Sequence, residues 1–329
     1  MSDHELRTSP FDGHRTIVAG GRSSRPGGIV EVAPAPPVDP QRDPFLEGHE
    51  AQTPPELAAD RPGGGPADGP GWVTRVVPNA FPLLVPDAPP AEPEAVPALF
   101  LSSPATGHHE VIVQAPTATG SLGALPLAQL ERVVAMWQSR LRAHAGAPAR
   151  HLIVNERAEA GASQPHTHAQ LVVLPSVPAA MARERERAEA YTLQTMGGNL
   201  TADYLQEEVR RGHRVVAVDD DCVLIAPWAS RGAYHLTILP RRAALRFEDE
   251  PESIGAAMLF DALRRLTARF GATPPFNLWV RTAVSGAERT SWRIELLPVL
   301  AATGGVELGT GLDITTVAPE QAAEALRSL

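Results

Sequence analysis

Lysine is missing from this 329-residue chain, so its 29 basic side chains are all arginine. That excludes Schiff-base catalysis and a lysine-cradled phosphate, and leaves arginine or backbone N–H groups to meet any anion. Cysteine is reduced to Cys222, which excludes an intrachain disulfide and any zinc site built on a cysteine pair. Its setting, DDDCVLIAP, reads as a buried strand. A surplus of positive charge is also lacking. The net charge is −9, whereas neutralising nucleic-acid phosphates takes a basic face, so no nucleic-acid partner is expected. Neither an apolar run of about 18 residues nor a leader-like pattern in MSDHELRTSP is visible, which predicts a cytoplasmic chain with no membrane partner.

What is present is enough apolar residue, 43% of the chain, to bury a core and fill two domains. The stretch 33–72 (APAPPVDP through RPGGGPADGPG) is dense in proline and glycine and too poor in periodic apolar positions to form an element, so it reads as a long loop. Beyond it an order recurs. Leu127, Leu130, Val134, Trp137 and Leu141 share one face of a helix opened by Pro126; the strands HLIVN (151–155) and HAQLVVL follow. Ile254, Met258, Leu263, Leu266 and Phe270 mark a second such helix, closed by Gly271, and FNLWV (276–280) and SWRIELLP (291–298) follow it. Leu174-Pro175 recurs as Leu297-Pro298, and Ala115-Pro116 as Leu239-Pro240, at a near-constant offset. The pattern predicts two copies of one α+β unit, residues 1–190 and 191–329. Between them ARERERAEAYTLQ and TADYLQEEVRRG read as linker helices, the second with Thr201 as its N-cap.

The chemistry concentrates in one segment, GASQPHTHAQLVVLP (161–175). His166, His168 and Gln170 occupy alternate positions, which on a strand project from one face. A neutral imidazole is a nucleophile toward phosphorus, a second one beside it could orient it, and an amide can donate to a phosphoryl oxygen. An His-x-His pair alone also serves as a zinc-ligand pair or a structural feature, and all three readings stand on the pair itself. The aligned second copy places Ser291 opposite His168 and Arg293 opposite Gln170, so one copy carries the polar triple and the other supports it.

Asn155, Gly161-Ala-Ser163 and His166-Thr-His168-Ala-Gln170 together resemble the active-site segment of the galactose-1-phosphate uridylyltransferase family, the transferase branch of the histidine-triad superfamily. The resemblance implies an α+β fold of two tandem histidine-triad-like domains, antiparallel sheets with packed helices forming a pseudo-duplicated unit. It makes His168 the nucleophile that carries a nucleotidyl group and Gln170 the mark of a transferase. Further matches imply phosphate contacts from Arg22 and Arg25, a nucleoside pocket at Asn79 and Phe81, and a sugar contact from Glu307.

Asn155 and Ser163 join the nucleotide-binding set, and a homodimer is implied as possible. The departures concern metals. The family's Cys-x-x-Cys falls at Asp43 and Leu46, a further histidine ligand near Thr117-Ala118, and the second-copy site, His-Trp-His with Ile-Glu, at Ser291-Trp292-Arg293-Ile294-Glu295 with Ala243 for another histidine. No zinc or iron cofactor is therefore expected.

The reaction implied moves a nucleoside monophosphate between a nucleotide sugar and a sugar 1-phosphate through a covalent histidine intermediate. The glutamine expected shortly after Glu307 has no match in LGTGLDI. An ADP-sugar or dinucleoside polyphosphate phosphorylase or adenylyltransferase using the same histidine stays open, as does a non-catalytic nucleotide-binding scaffold.

Overall fold

Strand alternation and helical periodicity resolve into an α+β molecule. The computed structural model describes residues 4–21, 31–90 and 99–329. Its strands are β1 (His4–Thr8), β2 (Arg15–Ala19), β3 (Ala58–Asp60), β4 (Thr74–Pro78), β5 (His108–Val113), β6 (Ala149–Glu156), β7 (His168–Leu174), β8 (Val215–Val218), β9 (Cys222–Ile225), β10 (Leu236–Pro240), β11 (Phe276–Arg281), β12 (Arg293–Pro298) and β13 (Leu312–Thr315). The helices are α1 (Leu127–Ala143), α2 (Ala179–Gln194), α3 (Leu200–Arg211), α4 (Ala256–Phe270), α5 (Gly305–Thr310) and α6 (Pro319–Arg327).

The duplication is visible as a near-symmetric sheet of ten strands in the order β3-β4-β5-β7-β6-β11-β12-β10-β9-β8. Strands β6 and β11 meet at its centre, and the remaining strands run outward in matching order on each side. Asn155 and Asn277 lie directly across from each other there, with the Asn277 amide donating to Asn155 Oδ1 at 3.0 Å. Leu152, Val154, Ala169, Leu171 and Val173 face one side of the sheet, where they join Leu130, Val134, Trp137 and Leu141 of α1 and Leu259, Leu263 and Leu266 of α4 in the main core. With that face committed to the helices, alternation turns His168 and Gln170 to the opposite face.

A second sheet, β1-β2-β13, ties the start of the chain to its end, with β13 parallel to β2. Arg7 on β1 is buried, pairs with Glu320 of α6 at 3.0 Å and donates to the Trp228 carbonyl. The opening strands therefore pack on the second half of the molecule, which local sequence pattern does not reveal.

Two local expectations need correction. Helix α3 begins two residues earlier than expected and is capped by Asn199, whose side chain accepts from Ala202 N–H, while Thr201 is buried within the first turn. The proline- and glycine-rich stretch 33–72 contributes the edge strand β3 and buries Trp72. Its order comes from ion pairs rather than apolar periodicity: Arg61 and Arg75 share Glu56, and Arg75 also holds Asp68.

Candidate active site

The first strand of the site is aligned by register. In the β5–β7 pair Val113 stands opposite His168 and Val111 opposite Gln170, and in the β6–β7 pair Ile153 stands opposite Gln170. His168 is 5% exposed at the entrance of β7. Its Nδ1–H donates to the His166 carbonyl at 2.8 Å, which fixes the tautomer and leaves Nε2 with its lone pair. Burial pushes the imidazole below its usual range, against the opposing effect of the His166 carbonyl. The neutral nucleophilic form is thereby favoured.

His166 is not the side-chain partner expected from alternation. It precedes β7, and its ring is buried with Nδ1 on Asp43 Oδ2 at 2.7 Å and Nε2 on the Ala115 carbonyl at 3.0 Å. It orients His168 through its backbone carbonyl, while its side chain anchors the loop carrying Asp43. Phe45, two residues on, sets its ring 5.4 Å from that of His168 and 6.1 Å from that of His166.

Gln170 is held from behind. His109 on β5 donates Nε2–H to Gln170 Oε1 at 2.8 Å, and its Nδ1 accepts Leu83 N–H at 3.1 Å. Burial lowers the His109 pKa, with the Gln170 bond opposing, so the ring serves as a neutral bridge. The Asn79 amide nitrogen lies 3.3 Å from the same Nε2, and Asn79 Oδ1 accepts Phe81 N–H at 2.9 Å. In front of these groups opens a cleft in which His168 and Gln170 meet Phe45, Asn79, Phe81 and Ser163. Phe81 is 90% exposed. Alone it reads as a core residue, whereas it forms an uncovered rim where a planar ring can stack.

The remaining expected residues fall into three groups. Asn155 lies on the cleft face of β6 but spends its carbonyl oxygen on Asn277, which also donates to the Ala160 carbonyl at 2.7 Å, so the pair braces the turn that ends at Gly161 (φ +96°). Glu307 caps the start of α5 by accepting Gly304 N–H at 3.1 Å and lines a different depression with Asn277 and Asp313; it does not share the His168 cleft. Arg22 and Arg25 lie outside the described residues.

At the positions where the family's metals would fall, other contacts stand. Asp43 is engaged by His166, and Leu46 has no donor atom. Arg293 inserts its guanidinium between Glu184 and Glu295, bonding the latter at 2.6 Å, and Ser291 Oγ bonds the Ala244 backbone. Burial raises the Glu295 pKa, but Arg293 overrides it and holds the carboxyl well below the usual range. A fixed cation thus fills the second-copy counterpart of the active face. Among the described residues no group of three or more His, Cys, Asp and Glu side chains is arranged to hold a metal ion.

Sequence reasoning missed His109, Phe45 and the bonding role of Asp43. His109 follows another histidine at the start of β5, and only the pairing register places it beside Gln170. Asp43 is visible in the sequence only as the residue standing where a cysteine would be.

Comparison with known proteins returns the family that the sequence resembles. Residues 73–178 match the family described as galactose-1-phosphate uridyl transferase, N-terminal domain. The ADP-glucose phosphorylase of Arabidopsis thaliana is 25% identical over 336 residues, spanning 99% of this chain and 93% of its own length. The galactose-1-phosphate uridylyltransferase of Haemophilus influenzae is 27% identical over 268 residues, spanning 76% of this chain and 75% of its own. A crystal structure of the Arabidopsis thaliana ADP-glucose phosphorylase with bound ADP-glucose matches the fold with a TM-score of 0.81 at 23% identity, covering 99% of each chain. The chain resembles this family in sequence and in its α+β fold, and the relatives it resembles are a phosphorylase and a uridylyltransferase.

Proposed function

We propose that His168 carries a nucleoside monophosphate between a nucleotide sugar and a phosphate acceptor. The observation that carries this reading is the buried His168 imidazole, kept neutral by its surroundings, capped at Nδ1 and open at Nε2 to a cleft it shares with Gln170. Nε2 attacks the α-phosphorus in line, a P–N bond forms, and the P–O bond to the sugar 1-phosphate breaks. Neither a general base nor a general acid is needed, because the nucleophile is neutral and the leaving group departs as a phosphate. Positive charge on the phosphorylated ring is stabilised by the His166 carbonyl, and the Gln170 amide N–H₂ donates to a non-bridging oxygen. An acceptor phosphate oxygen then attacks the same phosphorus and releases His168.

Arg22 and Arg25 hold the diphosphate in this reading, so Arg22→Ala and Arg25→Ala weaken use of the nucleotide sugar without abolishing labelling. Zinc and iron play no part in it. The reducing cytoplasm suits the single buried thiol of Cys222.

The main reading is a uridylyltransferase acting on a UDP-sugar. The near end-to-end match to ADP-glucose phosphorylase favours a second reading with an ADP-sugar as donor and inorganic phosphate as acceptor. Incubation with UDP-glucose, UDP-galactose or ADP-glucose followed by intact mass separates them. A UMP increment supports the first and an AMP increment the second. Release by inorganic phosphate or by a hexose 1-phosphate identifies the acceptor. No increment with any of them leaves the scaffold reading.

A further inference from the structure

The resembled family places a zinc ion where this chain has Asp43, and the residues here do not fit one. Asp43 Oδ2 and His166 Nδ1 are 2.7 Å apart. Two ligands sharing a zinc at about 2.0–2.2 Å each, in tetrahedral geometry, stand well over 3 Å from one another. The other His166 nitrogen is spent on the Ala115 carbonyl, and Leu46 offers nothing.

Asp43 is 3% exposed and bonds both its own loop and the segment that carries the nucleophile. Oδ2 takes the His166 ring, Oδ1 accepts Phe45 N–H at 3.0 Å, and the backbone carbonyl accepts His49 Nδ1–H at 2.7 Å. The segment thus held supplies Pro44, Phe45, Gln52 and Thr53 to the cleft wall. The ring it grips belongs to the residue whose carbonyl holds the nucleophile.

We propose that Asp43 is a positioning residue that replaces a structural metal with a carboxylate, locking the cleft wall and the His168 imidazole into one rigid unit. It touches no reacting atom. Its effect passes through His166 to the attack angle of His168 Nε2, and through Phe45 to the face on which the His168 ring rests. The proposal rests on the nucleotidyl-His168 reading given above.

The test is single-turnover labelling by UDP-glucose and ADP-glucose in the parent, Asp43→Ala and Asp43→Asn, with zinc measured on tag-free protein. Misplacement of a reacting group by about 1 Å costs on the order of 100-fold. Asp43→Ala should therefore label about 30- to 100-fold more slowly at saturating nucleotide sugar, with half-saturation raised less than about fivefold. Asp43→Asn still accepts Phe45 N–H and can donate to an unprotonated His166 Nδ1, so it should label about three- to tenfold more slowly than the parent. Graded rescue by asparagine, expressed in the rate constant, separates positioning from mere support of the fold.

If Asp43→Ala does not fold, the asparagine variant decides alone: a folded variant slowed about three- to tenfold supports the proposal, and one labelling at the parent rate overturns it. Parent-rate labelling by folded Asp43→Ala overturns it too, as does about one zinc per parent chain that Asp43→Ala loses. Absence of any adduct in the parent removes the His168 reading and this proposal together, whereas a labelled parent with an equally labelled Asp43→Ala removes only the proposal.

Discussion

His109 and Gln170 are joined by an N–H···O bond of 2.8 Å that runs along the cleft face between neighbouring strands. Because the Gln170 oxygen is committed to His109, the amide nitrogen is the end left for a phosphoryl oxygen. Loss of this brace lets the amide rotate. His109→Phe should lower kcat about tenfold with little change in KM, consistent with one hydrogen bond of about 1–1.5 kcal/mol acting in the transition state. Steady-state kinetics with the preferred nucleotide sugar checks this, and an unchanged kcat would show that Gln170 needs no support.

The two histidines of the segment have different tasks and should separate cleanly. His168→Gly removes the nucleophile and should abolish the covalent adduct. His166→Asn keeps the backbone carbonyl that orients His168 and loses the ring bonds to Asp43 and Ala115, so it should label slowly but still label. Peptide mapping decides, and an adduct on His166 would reverse the assignment.

Labelling should persist into mild acid. Burial lowers the His168 pKa, so the neutral ring is retained below about pH 6.5, the midpoint of an ordinary imidazole. The labelling rate measured from pH 5 to 8 should reach half its plateau below that value. A half-point at or above it contradicts the burial argument.

Glu156 gives the fold a pH dependence of its own. It is 2% exposed on β6, accepts Leu122 N–H at 3.1 Å, and burial raises its carboxyl to about 7 despite its bonds to Ser121 and Leu122. A carboxyl whose folded pKa lies above its unfolded value is protonated more in the folded state between the two. Stability from this group therefore falls as pH rises from about 4.5 to 7, by up to roughly 3 kcal/mol. His151, lowered to about 4 by burial, acts in the opposite sense below pH 6.5. Comparing Glu156→Gln with the parent isolates the carboxyl: the variant's thermal midpoint should gain on the parent's between pH 5 and 8. Parallel curves would count against a raised Glu156.

The sequence by itself determined the α1 and α4 helices, the strands that follow them, the repeat, and the nucleophile segment, because each is written in local periodicity or in neighbouring residues along one strand. Leu130, Val134, Trp137 and Leu141 fall on one helical face whatever lies elsewhere, and Gln170 is one strand step from His168 in any register. Tertiary structure alone decided the placement of β1 and β2 against β13 and the junction of both halves at Asn155 and Asn277. It also decided the bond from His109 to Gln170 and the grip of Asp43 on His166. Each of these joins residues far apart in the chain, and such pairing is set by how whole strands register and which faces the helices bury, which no local pattern encodes. The Asp43 segment is the sharpest instance: its composition reads as loop, and only the burial of its carboxylate against His166 makes it part of the active site.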